Sequence, residues 1–242
     1  VNIDRNKIFM KIKIIYFKKL YFKNIFNIFI NILNQYSIIL ISGGNSIKKI
    51  IQNSKTKIFI NKSRTVILSD ERMYNKINDT RTNYSNLKKN FFSYLKFLKL
   101  NFIYFRLNLK KEALVKNFIY KINNKLPKVA ILSLGNDGHI CSIFRHEKQL
   151  VEYEYLSIVK PQNKIKRITV NLKFLKKIKK IYLIVYGSKK GLALKKVILK
   201  KKTFFPFKNF NKIIFILDKH AYQKIKHIKN IEQINSSVKY KK

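Results

Sequence analysis

Short, unbroken apolar runs recur along this chain, and several end in a cluster of glycine, carboxylate or hydroxyl residues. The runs at Ser37–Ile41, Thr65–Leu68, Val129–Leu132, Ile181–Tyr186 and Ile213–Leu217 are rich in Ile, Val and Leu. They do not alternate with polar residues, which is the pattern of strands buried on both faces, as in a parallel sheet. Arg167–Val170 and Asn101–Phe105 read as further strands. Helical spacing fills the intervals: Tyr21, Phe22, Ile25, Phe26, Phe29, Ile32 and Leu33 mark a helix near 18–35, and others are expected near 46–54, 83–98, 111–124 and 188–198. Strand and helix alternating in this way predict an α/β fold, a three-layer Rossmann-like domain with a mostly parallel sheet and helices on both faces. No Gly-, Pro- or Ser-rich linker divides the sequence, so residues 1–242 are expected to form one domain.

The formal charge of +43, from 54 Lys and Arg against 11 Asp and Glu, raises the question of a polyanionic partner. The cations are spread along nearly the whole chain, and no zinc-finger or RNP signature accompanies them. Abundant Lys, Asn, Ile, Phe and Tyr beside scarce Ala, Gly, Pro and Trp match codons built mostly from A and T. No specific nucleic-acid partner is expected. Attraction of small phosphorylated substrates is a simpler use of the charge. Lysines and asparagines interrupt the apolar stretch at 8–41, so neither a membrane span nor a signal segment is expected. Cys141 is the single cysteine, which excludes an intramolecular disulfide and fits a reducing cytoplasm. No CxxC or HExxH pattern suggests a metal site.

In a parallel sheet all carboxyl ends open on one edge, so polar clusters that follow different strands can converge there. Ser42-Gly43-Gly44-Asn45 precedes a helix; its N–H groups can hold a phosphate, or the glycines can serve only a tight turn. Neither GxGxxG nor a Walker pattern is present, which argues against a dinucleotide or ATP. Asp70, Glu71 and Arg72 can orient hydroxyls and pair with a phosphate, or the acids can cap the following turn. In Leu134-Gly-Asn-Asp137-Gly-His139, the histidine is either a structural residue or a general base whose tautomer the nearby Asp137 fixes. No GxSxG elbow occurs, so direct attack by water is favoured over an acyl-enzyme.

Taken in order, ISGGNS at 41–46, SDER at 69–72 with Thr82-Asn83, LGNDGHICSIF at 134–144, KP at 160–161 with RIT at 167–169, and GSKK at 187–190 resemble the 6-phosphogluconolactonase family. The resemblance implies cytosolic hydrolysis of 6-phospho-D-glucono-1,5-lactone, a sugar-phosphate lactone, to 6-phosphogluconate, with neither metal nor organic cofactor. It implies His139 as general base and Asp137 as its orienting partner. Ser42, Gly43, Gly44 and Asn45 would line the phosphate or sugar site, Asp70 and Glu71 would belong to the same substrate site, and Arg72, Arg167 and Lys190 would supply positive charge. The chain departs from the family pattern at Ser46-Ile47 (Thr-Pro), at Ser133 (the first glycine of GxG), at Met73-Tyr74 after DER, and at Arg145 (a proline). The related glucosamine-6-phosphate deaminases carry a glutamate five residues after the histidine; position 144 here is Phe, and Glu147 is out of register. A basic nucleic-acid or membrane-binding protein on the same fold is the alternative of a different class.

Overall fold

A computed structural model describes residues 12–19, 21–53, 58–60, 62–74, 79–90, 95–97, 99–122, 126–144, 148–161, 165–199 and 211–234. In chain order its elements begin β1 (Ile12–Phe17), α1 (Tyr21–Gln35), β2 (Ile38–Ile41), α2 (Asn45–Gln52), β3 (Ile58–Ile60), β4 (Arg64–Leu68) and β5 (Asp70–Arg72). There follow α3 (Asn83–Asn90), β6 (Leu95–Phe97), β7 (Leu100–Ile103), α4 (Lys111–Ile122), β8 (Val129–Ser133), β9 (Lys148–Glu152) and β10 (Leu156–Lys160). The last are β11 (Arg167–Val170), α5 (Leu172–Lys177), β12 (Lys180–Val185), α6 (Ser188–Ile198), β13 (Ile213–Asp218), α7 (Lys219–Gln223) and β14 (Ile231–Gln233).

Eight strands form one sheet in the order β14-β1-β13-β12-β8-β2-β4-β7, and every neighbouring pair is parallel. All six residues of β13 are buried, as are all four apolar residues of β8, so helices and loops cover both faces of the sheet centre. That double burial is why these strands read as continuous apolar runs. Helix α1 presents a single stripe to the core through Ile25, Phe26, Phe29, Ile32 and Leu33. Burying each such side chain contributes about 1.5–3 kcal/mol. Arg64, buried at the start of β4, donates from Nε to the Leu33 carbonyl and from Nη2 to the Asn34 carbonyl (3.2 Å), satisfying groups that the end of α1 leaves unpaired.

From β2 the chain moves outward to β4 and β7; from β8, on the other side of β2, it moves the opposite way through β12 and β13. The loops leaving β2 and β8 therefore diverge, and a crevice opens between them at the strands' carboxyl ends.

A second, antiparallel sheet in the order β5-β11-β10-β9 stands beside this edge. The sequence reading did not anticipate it, and it changes two local assignments. SDER is not only the end of a strand, since Asp70–Arg72 is itself a strand paired with β11. The helix expected at 83–98 ends at Asn90, and Leu95–Phe97 pairs with β3 instead. Residues Ile12–Phe17, read only as part of the apolar stretch at 8–41, form a strand between β13 and β14. Residues 91–94, Arg145 and Glu147 lie outside the described residues. Among the described residues, no helix is long and apolar enough to cross a membrane.

Candidate active site

After β8 the chain makes a compact loop. Leu134 bridges Ile140, the Gly135 N–H donates to the His139 carbonyl (2.7 Å), and the Gly138 N–H donates to the Gly135 carbonyl (3.2 Å). Gly138 takes φ 96°, a left-handed conformation that glycine adopts without a Cβ clash. Within the loop, His139 Nδ1 shares a hydrogen bond with Asp137 Oδ1, and the His139 backbone N–H donates to the same oxygen at 3.3 Å. That bond holds the Asp137 carboxyl down to about 2, with burial opposing it. Assigning the Nδ1 proton to this bond leaves Nε2 as the basic nitrogen. The His139 side chain is 25% exposed, so this nitrogen is within reach of small molecules in the cleft. Gly135 is required by close approach: a Cβ there would collide with the imidazole and lie 2.8 Å from Asp137 Oδ1. The Phe144 ring packs against the imidazole, centroid to centroid 4.3 Å.

Positive charge reaches the cleft from two sides. In the small sheet, β5 and β11 align Arg72 directly opposite Arg167. Like charges across a strand pair destabilise a sheet unless an anion lies between or beside them. Both arginines line the cleft. Arg167 Nη1 donates to Ser142 Oγ (3.4 Å), its guanidinium lies 5.4 Å from the Phe144 ring centroid, and its buried Nε has no hydrogen-bond partner among the described residues. Burial lowers the Arg167 pKa and Arg72 adds to the shift, while Asp70 opposes it. On the other side, Gly187 (φ 86°) turns the chain from β12 into α6, whose first turn carries Lys190. The Lys190 ammonium donates to Ser133 Oγ (2.7 Å) and Ser46 Oγ (2.8 Å), and the Ser133 and Ser46 oxygens are 3.0 Å apart. Burial, assisted by the charge of Lys49, lowers Lys190 to about 8.

The remaining expected residues separate into lining and support. Ser42, Gly44, Asn45 and Asp70 line the cleft, which encloses about 560 Å³ and also admits Ser46, Lys49, Asn83 and Tyr186. Gly44 is the N-cap of α2 and offers no side-chain cap; the Ile47 N–H turns back to the Gly44 carbonyl (3.1 Å), which leaves the first two N–H groups of the helix, at Asn45 and Ser46, for acceptors outside it. Gly43 serves packing, because a Cβ there would sit 2.5 Å from Asn83 Cβ. Asp70 is buried; it accepts from Ser69 Oγ (2.7 Å), Ser142 Oγ (2.7 Å) and Asn83 Nδ2 (3.3 Å), tying three loops together. Glu71 is fully buried and does not line the cleft. It accepts from the backbone N–H groups of Arg72, Asn83 and Tyr84, each at 2.7 Å, and so caps α3. Burial pushes its carboxyl up to about 7 against those three donors. Thus Glu71 takes the capping alternative of the sequence reading. Ser46, Lys49, Ser142, Phe144 and Asn83 were not among the expected site residues. Among the described residues, no three His, Cys, Asp or Glu side chains are grouped as metal ligands.

Residues 29–213 match the family described as glucosamine-6-phosphate isomerases/6-phosphogluconolactonase. The chain belongs to this family. A 6-phosphogluconolactonase of Borreliella burgdorferi is 30% identical over 178 residues, spanning 66% of this chain and 72% of that protein. The solved 6-phosphogluconolactonase of Thermotoga maritima superposes with a TM-score of 0.68 at 18% identity, covering 86% of this chain and all of that one. The one from Trypanosoma cruzi gives 0.66 at 17%, covering 88% and 97%. A monomeric glucosamine-6-phosphate deaminase also shares the fold, with a TM-score of 0.63 at 15% identity, covering 88% and 100%. Both branches of the isomerase/lactonase family therefore share this fold, and the residues around His139 have to separate them.

Proposed function

We propose that this chain is a 6-phosphogluconolactonase acting in the cytoplasm, adding water to 6-phospho-D-glucono-1,5-lactone to give 6-phospho-D-gluconate. One observation carries the choice within the family: the imidazole of His139 is paired with Asp137 and packed by the Phe144 ring. A deaminase would need a carboxylate at position 144, where this chain offers only an aromatic hydrocarbon.

His139 Nε2 takes a proton from water as the water oxygen bonds to the lactone carbonyl carbon. Asp137 stabilises the resulting imidazolium without itself taking the proton, in keeping with its depressed pKa. When the tetrahedral oxyanion collapses, the bond from the carbonyl carbon to the ring oxygen breaks, and the imidazolium returns its proton to that oxygen. One water is added and the base is regenerated. Lys190, Arg72 and Arg167, with the Ser42–Asn45 loop, bind the phosphate, and Asp70 holds the loops that carry them. The reading requires no metal or organic cofactor.

The test is hydrolysis of freshly generated lactone, corrected for its spontaneous opening. His139→Ala should lose about 10²–10⁴-fold in kcat, the span of a positioned general base. Equal rates for the variant and the wild type would remove His139 from the mechanism. An inactive wild type would favour a binding role for the basic surface.

A further inference from the structure

We propose that Ser133 is a positioning residue that makes the floor of the cleft selective for a phosphate over a neutral hydroxyl. The inference rests on the lactonase reading for its substrate, but its geometry is independent of that reading. Three side chains from three elements meet here: Ser46 from α2, Ser133 from the end of β8 and Lys190 from α6. The Lys190 ammonium has three protons and spends two of them, on Ser133 Oγ at 2.7 Å and Ser46 Oγ at 2.8 Å. Ser133 in turn donates to Ser46 Oγ at 3.0 Å. Both lone pairs of Ser46 are then occupied, and its own O–H has nothing left to do but donate. Among the described residues, the cluster is left with a spare ammonium proton, the Ser46 hydroxyl proton and one lone pair on Ser133. The acceptors of Ser46 are already taken.

Such a site suits a group that only accepts hydrogen bonds and carries negative charge. A neutral sugar hydroxyl can accept one of these protons but gains little from the ammonium charge, and it finds no acceptor at Ser46. Without the Ser133 hydroxyl, Lys190 loses one of its two anchors, and Ser46 regains a lone pair and the freedom to rotate. The distinction between phosphate and hydroxyl should weaken accordingly. This hydroxyl stands where the family pattern has glycine, so the device belongs to this chain's own sequence.

The experiment compares wild type, Ser133→Ala and Ser133→Gly by steady-state kinetics on 6-phosphogluconolactone and on unphosphorylated glucono-1,5-lactone, and by calorimetric titration with inorganic phosphate. Both variants should raise KM for the phosphorylated lactone about tenfold and weaken phosphate binding about tenfold, as expected for loss of one hydrogen bond to a charged group. The kcat should stay within about twofold, and kcat/KM for the unphosphorylated lactone should change by less than about twofold. Agreement of the two variants separates the missing hydroxyl from any packing of the alanine methyl. Unchanged phosphate affinity, or equal losses on both lactones, would overturn the proposal. If the wild type opens neither lactone and phosphate binding still weakens tenfold, the role of Ser133 stands and the lactonase reading fails.

Discussion

Replacing Lys190 with methionine should make the unliganded protein more stable while removing its grip on phosphate. In the folded chain Lys190 loses its proton at about 8, below the ordinary 10.5, because burial and Lys49 both work against its charge. A shift of that size corresponds to about 3 kcal/mol at most spent on keeping the ammonium charged at neutral pH. The ammonium recovers part of this through its bonds to Ser46 and Ser133, each worth about 1 kcal/mol. Lys190→Met keeps the length of the side chain without the charge, so a net gain of about 1–2 kcal/mol is expected. For a chain of this size that is a rise of about 2–8 °C in Tm at pH 7. The pH dependence has a definite sign. Between about 8 and 10.5 the unfolded chain binds more protons at this position than the folded one, so wild-type stability contributed by Lys190 rises with pH across that window. The advantage of the variant should therefore shrink above pH 8 and be lost before pH 10.5. Thermal unfolding of both proteins at matched ionic strength, from pH 7 to 10, reads this difference, and the titrations common to both chains cancel. A variant less stable than wild type at pH 7, or an advantage constant with pH, would falsify the claim that Lys190 is held charged at a cost. Phosphate affinity, measured on the same samples, should fall by tenfold or more.

Asp137→Asn should lower kcat by about 10²-fold or more with KM nearly unchanged, since the amide can still contact the imidazole but cannot stabilise its charged form; initial rates at saturating lactone read this. Gly135→Ala places a methyl against the His139 ring, so activity should fall far more than Tm; comparable losses in both would mean that the loop unfolds instead of the histidine being displaced. Glu71→Ala leaves the N–H groups of Arg72, Asn83 and Tyr84 without their acceptor inside the protein and should cost about 3 kcal/mol or more in urea unfolding. The net charge of +43 predicts that Tm rises between about 20 and 200 mM salt, where screening shortens the reach of self-repulsion; a flat profile would show that the charges are too far apart to matter.

The parallel sheet was legible because its central strands are buried on both faces. Ile39–Ile41 and Val66–Leu68 leave no polar position to confuse the period. The antiparallel sheet was not, for reasons visible in its strands. Asp70–Arg72 is only three residues long and wholly polar, so it carries no apolar period, and its place is fixed by pairing with a strand nearly a hundred residues later. Leu156–Lys160 does have an apolar run, buried at its first four positions, but nothing local marks its antiparallel partners. The same distance hid the apposition of Arg72 and Arg167. Each arginine is one among many cations in the sequence, and only the β5–β11 register makes them a pair. His139 and Asp137 were legible because they lie two residues apart, and their contact is local.

Acids were the more informative half of the charge composition. Only 11 Asp and Glu stand among 54 cations, so a carboxylate in this chain is conspicuous. Asp137 holds the catalytic candidate, Asp70 ties the loops of the cleft, Glu71 caps α3, and Asp79 accepts from Arg81 at the entrance to that helix. Asp218 accepts from the Gly187 N–H at 3.0 Å and from Ala221, fixing the turn from which Lys190 projects. The cations of the site, by contrast, are positioned by neutral partners: Lys190 by two serines and Arg167 by Ser142. That division has a chemical consequence. Carboxylates set the backbone, but among the described residues no direct ion pair neutralises Lys190 or Arg167, so both cations retain charge for an incoming dianion. A direct carboxylate partner would have made each cation easier to find in the sequence and weaker as a phosphate ligand.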